Sequence, residues 1–81
     1  MGTVNIRKLK AKLTELGLNV EALGKMIGYD RSSIYRRFAD NGAALTVDDA
    51  NKIIAALKLS AAEAIAIFFA QLVPNFETDE V

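Results

Sequence analysis

The chain has 81 residues, 52% of them apolar and 25% charged, with ten cations balanced by ten anions. That length allows one small domain, and the apolar fraction is too high for a disordered chain. Cysteine and histidine are both absent, which excludes disulfides, thiolate chemistry, imidazole acid–base catalysis and the usual zinc ligands.

The N-terminus carries no apolar signal-peptide core. The longest apolar stretch, Ala61 to Val73, contains Glu63 and Gln71 and is shorter than the about 20 residues a bilayer span needs. Met1-Gly2 resembles a myristoylation start, but Ile6 stands where that motif needs Ser or Thr. A cytoplasmic protein without membrane contact is expected. The zero net charge conceals a split: residues 1–42 hold eight cations against four anions, and residues 43–81 hold two against six. The first half is thereby suited to face something negative.

Five short helices are predicted. The first spans Asn5 to Leu16, with Ile6, Leu9, Leu13 and Leu16 along one face and Lys8, Lys12 and Glu15 on a solvated opposite face. Gly17 follows as a left-handed terminator. The second starts after Asn19, an N-cap, and places Val20, Leu23 and Ile27 on an apolar face shared with Gly24. A glycine inside a helix costs about 1 kcal/mol against alanine, so close approach by another helix is expected there. Gly28-Tyr29 ends the element.

The third helix is capped by Asp30 and runs through Phe38. Ile34 and Phe38 form its apolar pair, while Ser32 and Arg36 point the other way, flanked by Ser33 and Tyr35. Arg31 in the first turn opposes the helix dipole, so helix stability does not explain it. Asp40-Asn41-Gly42 is a turn signal. The fourth helix opens with Thr46 and Asp49, a capping-box pattern, and carries the stripe Val47, Ala50, Ile53, Ile54 and Leu57. The fifth opens with the capping box Ser60/Glu63 and stops at Pro74. No run alternates for long enough to form a strand. Residues 1–74 are expected to form the domain and residues 75–81 an acidic tail.

Residues 19–38 thus read as a helix-turn-helix unit. Gly24 allows a close crossing, Gly28-Tyr29 makes the turn, and Ile34 locks the second helix. The outer face of that helix carries Arg31, Ser32, Ser33, Tyr35 and Arg36, side chains suited to DNA. Arginine can donate two hydrogen bonds to guanine O6 and N7. Serine and tyrosine hydroxyls can reach bases or phosphates.

The stretch Asn19-Val-Glu-Ala-Leu-Gly-Lys-Met-Ile-Gly-Tyr-Asp-Arg-Ser-Ser-Ile-Tyr-Arg-Arg-Phe38 resembles the lambda-repressor-like (Cro/CI, XRE-type) DNA-binding domains. The likeness extends to Thr46–Leu59. It implies an all-α, compact five-helix bundle that binds double-stranded operator DNA as a homodimer. Arg31, Ser32 and Arg36 match the base-reading positions, and Ser33 and Tyr35 flank them as phosphate contacts. Asn19 and Asn41 are further candidate DNA contacts. Two departures stand out. Val20 replaces the glutamine with which the family often touches a phosphate. Arg37 occupies a slot that is usually apolar, with Phe38 supplying the apolar side chain one residue later. Arg37 is left between a phosphate contact, an intramolecular ion pair and free solvent.

Eleven of the thirteen residues from Ala61 to Val73 are apolar. Ile65, Phe68, Phe69 and Leu72 are expected to serve the core, with Ile67 and Val73 toward another side. A second apolar face fits a homodimer interface at Ile67, Phe69, Ala70 and Val73. The competing reading makes this the central core helix of a monomer. The functional alternative to a transcription regulator is a helical protein-interaction module, adaptor or antitoxin-like, that uses this helix. No cofactor, metal or small-molecule substrate is indicated. Asp48-Asp49 and Asp79-Glu80 are adjacent carboxylates of the kind usually found on surfaces, and no enzyme is expected.

Overall fold

Capping side chains set where each described α-helix begins. The computed structural model describes residues 4–69. Helix α1 is Ile6–Glu15, α2 Val20–Ile27, α3 Arg31–Gly42, α4 Val47–Leu57 and α5 Ala61–Ala64, which continues as a π-helical turn, Ile65–Phe69. Asn5, Asn19, Asp30, Thr46 and Ser60 are the N-caps, each accepting from a backbone N–H three residues on. Thr46/Asp49 and Ser60/Glu63 form complete capping boxes. Among the described residues there is no strand.

Regular helical geometry in α3 stops at Phe38, because Ala39 is extended and Asp40 and Asn41 are left-handed (φ 53° and 56°). Gly42 continues the left-handed run at φ 74°, and a Cβ there would lie 2.9 Å from Val4 Cβ. Val4 is therefore seated against the turn. Its N–H donates to the Asn41 carbonyl at 2.8 Å, and the next N–H, of Asn5, donates to the Ile67 carbonyl at 2.8 Å. Two consecutive backbone bonds thus tie the start of the chain to both α3 and the last helix.

Among the described residues the core is one cluster: Val4, Leu9, Leu13, Val20, Leu23, Ile34, Phe38, Leu45, Ala50, Ile53, Leu57, Ile67 and Phe68. Burying an aliphatic or aromatic side chain of this kind stabilises the fold by about 1.5–3 kcal/mol. Three expectations are corrected. Leu16 lies beyond the last helical turn of α1 and is exposed. Val47, the first residue of α4, is 61% exposed; it sits in the opening turn, ahead of the buried stripe Ala50, Ile53 and Leu57. Ile67 is 2% exposed and packs inside the monomer, so it is no free dimer contact. The inward stripe of the last helix is Ala64, Ile67 and Phe68, one residue out of phase with the expected one. A segment apolar on all sides carries no periodic signal to fix that phase.

Lys12 also departs from expectation. Its Nζ donates to Glu63 Oε2 at 2.7 Å, bridging α1 to α5. The hydrogen bond to Glu63 raises the Lys12 pKa, and the same bond lowers that of Glu63.

Candidate nucleic-acid interface

The α2–α3 joint is built on a missing side chain. A Cβ on Gly24 would lie 2.9 Å from Ile34 Cγ2 and 3.0 Å from Ile34 Cβ. Real Cβ atoms do not approach that closely, so only glycine admits Ile34 at this depth. Gly28 ends α2 in the left-handed region (φ 91°), and the Tyr29 N–H donates to the Gly24 carbonyl at 2.8 Å. Asp30 then caps α3 through the Ser33 N–H, a bond that lowers the Asp30 pKa.

With Ile34 and Phe38 buried, the opposite side of α3 points outward. Arg31, Ser32, Tyr35 and Arg36 are exposed there, with Ser33 half-buried beside them. The Arg31 side chain is 74% exposed, lies 5.9 Å from the Tyr35 ring centroid and has its Nε 4.0 Å from Glu21 Oε1. An exposed pair at that distance contributes little to stability. Arg31 is therefore free to engage a ligand. Asn19 is occupied as an N-cap, accepting from the Ala22 N–H. Asn41 is exposed in the left-handed turn, with its carbonyl bonded to Val4.

Arg37 behaves differently from its two arginine neighbours. It stands three residues after Ile34, on the inward side, and its Nη1 donates to Asp49 Oδ2 at 3.1 Å and to the Ala44 carbonyl at 3.2 Å. Its guanidinium lies 4.5 Å from the Tyr29 ring centroid. Of the three roles open to Arg37, the intramolecular ion pair is the one formed. Its Nε is shut off from solvent and finds no acceptor among the described residues; an unsatisfied buried donor costs about 1–3 kcal/mol.

Asp49 is the partner that the sequence pattern did not reveal. Expected on the surface, it is 1% exposed. It accepts from the Tyr29 hydroxyl, the Arg37 guanidinium and the Thr46 N–H. Burial alone would raise its pKa, but the hydrogen bonds from Tyr29 and Thr46 and the Arg37 charge outweigh that and hold it below the ordinary aspartate range. The bond to Asp49 raises the Tyr29 pKa. A signal was available: a cation on the inward face of a helix needs a nearby acid, and Asp49 is the capping-box acid of the next helix.

At the last helix, Phe69 is half-buried against the core, while Ala70 and Val73 lie outside the described residues. Nor is any described helix long and apolar enough to cross a membrane.

No curated protein and no solved structure matches this chain. A family model does match, described as helix-turn-helix, over residues 9–63. That span runs from α1 through the capping box of α5 and contains the Gly24–Ile34 joint and the outward face of α3. The chain belongs to the XRE/lambda-repressor-like helix-turn-helix family of DNA-binding domains.

Proposed function

We propose that this chain is a sequence-specific transcription regulator of the repressor type, with α3 lying in the major groove of a two-fold symmetric operator. The observation that carries this reading is the outward face of α3. Arg31, Ser32, Tyr35 and Arg36 are exposed together, while Ile34 and Phe38 anchor the helix from behind. In this reading Arg31, Ser32 and Arg36 read base edges, whereas Ser33, Tyr35, Asn19 and Asn41 contact the backbone. Arg37 serves through its ion pair with Asp49.

The domain acts as a homodimer, because a palindromic site with half-sites roughly 34 Å apart calls for two copies of one reading head. Phe69 is the described residue offered to that contact, with Ala70 and Val73 beyond it; the burial of Ile67 removes it from the set. The regulator works in the cytoplasm, without a cofactor and without catalysis.

Selection of bound duplexes from a random pool tests this reading. The expected outcome is a two-fold symmetric consensus whose binding weakens by orders of magnitude between about 50 and 200 mM salt. Binding to no duplex, with self-association or protein capture that is indifferent to salt, would instead favour an interaction module built on the last helix.

A further inference from the structure

The polar cluster Tyr29–Asp49–Arg37 joins three parts of the domain. Tyr29 belongs to the turn between α2 and α3. Arg37 belongs to the last regular turn of α3. Asp49 belongs to the first turn of α4, where its carboxylate also closes the capping box on the Thr46 N–H. One buried carboxylate therefore holds the start of α3, through the Tyr29 hydroxyl, and the end of α3, through the Arg37 guanidinium. Arg37 adds a bond to the Ala44 carbonyl in the segment leading to α4. Its guanidinium is also stacked on the Tyr29 ring, which Lys52 approaches from α4, its Nζ 5.9 Å from the ring centroid.

The apolar contacts at the Gly24–Ile34 crossing and at Phe38 fix how deeply α3 is seated, but packing contacts alone tolerate small changes in a helix's angle. Hydrogen bonds at both ends of α3, made to one group on a different helix, remove that freedom. From this juxtaposition we infer that Asp49 and Tyr29 are positioning residues for sequence recognition. They set the angle at which Arg31, Ser32 and Arg36 meet the bases, with no contact to DNA of their own. The inference rests on the DNA reading above. It adds that discrimination between sequences depends on an acid that simple electrostatics would count against DNA binding.

That opposition of signs supplies the test. The full chain and its Asp49→Asn and Tyr29→Phe variants are titrated by fluorescence anisotropy against a duplex from the selection and a scrambled duplex of equal length. Asp49→Asn removes a negative charge, so charge alone would tighten binding to both duplexes. Positioning instead predicts weaker binding to the selected duplex, about five-fold or more, the weakening expected when one base is no longer read. Binding to the scrambled duplex should be unchanged or tighter. Tyr29→Phe changes no charge and should lower the selected-to-scrambled ratio in the same direction, with the helical circular dichroism retained.

An unaltered ratio in both variants, or tighter selected binding by Asp49→Asn, overturns the inference while leaving the DNA reading intact. A wild-type chain that does not distinguish the duplexes refutes the DNA reading itself, and the inference with it. Should Asp49→Asn fail to fold, the ratio measured for Tyr29→Phe decides alone.

Discussion

The joint between α2 and α3 and the joint between α1 and the last helix are made in opposite ways. In the first, a glycine lacks the atom that would obstruct Ile34, the turn is a left-handed glycine, and a buried carboxylate braces both ends of the outgoing helix. In the second, apolar side chains meet around Ile67 and Phe68, a Lys12–Glu63 pair closes the rim, and the helix widens into a π turn. Geometry of the first kind admits one arrangement and holds the outer face of α3 steady. Geometry of the second kind is set by filling space and tolerates adjustment. The surface proposed to read DNA stands on the less forgiving joint.

Substitutions at the two joints probe this contrast, beginning with the largest effect. Ile67→Glu places a charge in the core. An uncompensated buried charge costs about 3–5 kcal/mol, comparable with the whole stability of a domain this size. Thermal melts by circular dichroism should show an unfolded chain, and a folded Ile67→Glu monomer would return Ile67 to a surface. Gly24→Val comes next, at roughly 3 kcal/mol, the upper end of overpacking penalties, despite the better helix propensity of valine over glycine. Chemical denaturation measures it. A neutral result would mean that α3 retreats without penalty and that the first joint is as compliant as the second.

Asp49→Asn should cost about 1–3 kcal/mol at neutral pH, and it carries a pH signature. The folded pKa of Asp49 lies below its unfolded value. Its contribution to stability is therefore complete above the unfolded pKa of about 4 and is lost as pH falls through the lower folded value. The variant should have a flatter acid limb in its stability profile, and an unchanged limb would mean that the brace is absent. The smallest effect belongs to Glu63→Gln, on the half-buried pair with Lys12 at the rim. Its melting temperature should shift slightly, and the difference should shrink with added salt.

The capped starts of α2 to α5 and the Gly24–Ile34 crossing were legible in the residues, because N-caps and glycines act at single positions; the cap of α1, Asn5, was read as the first helical residue. The outward face of α3 followed from the Ile34/Phe38 pair. The phase of the last helix was not legible: Ala61 to Val73 is apolar on every side, and two stripes one residue apart fit equally well. The burial of Asp49 was hidden for another reason. Its partners Tyr29 and Arg37 are 20 and 12 residues away, and only the fold brings them together. Val4 and Leu45, both buried, were missed because each lies outside a helix, where periodicity says nothing.

Recognition by the outer face of α3 is the central claim, and Arg36→Ala tests that face most directly. Arg36 is exposed, so the melting temperature should be unchanged. Removing one bidentate arginine–guanine contact is worth about 1–3 kcal/mol, so affinity for the selected duplex should fall roughly 5- to 150-fold, with relaxed preference at one base position. An Arg36→Ala protein that binds the selected duplex as tightly and as selectively as the wild type would refute recognition through α3.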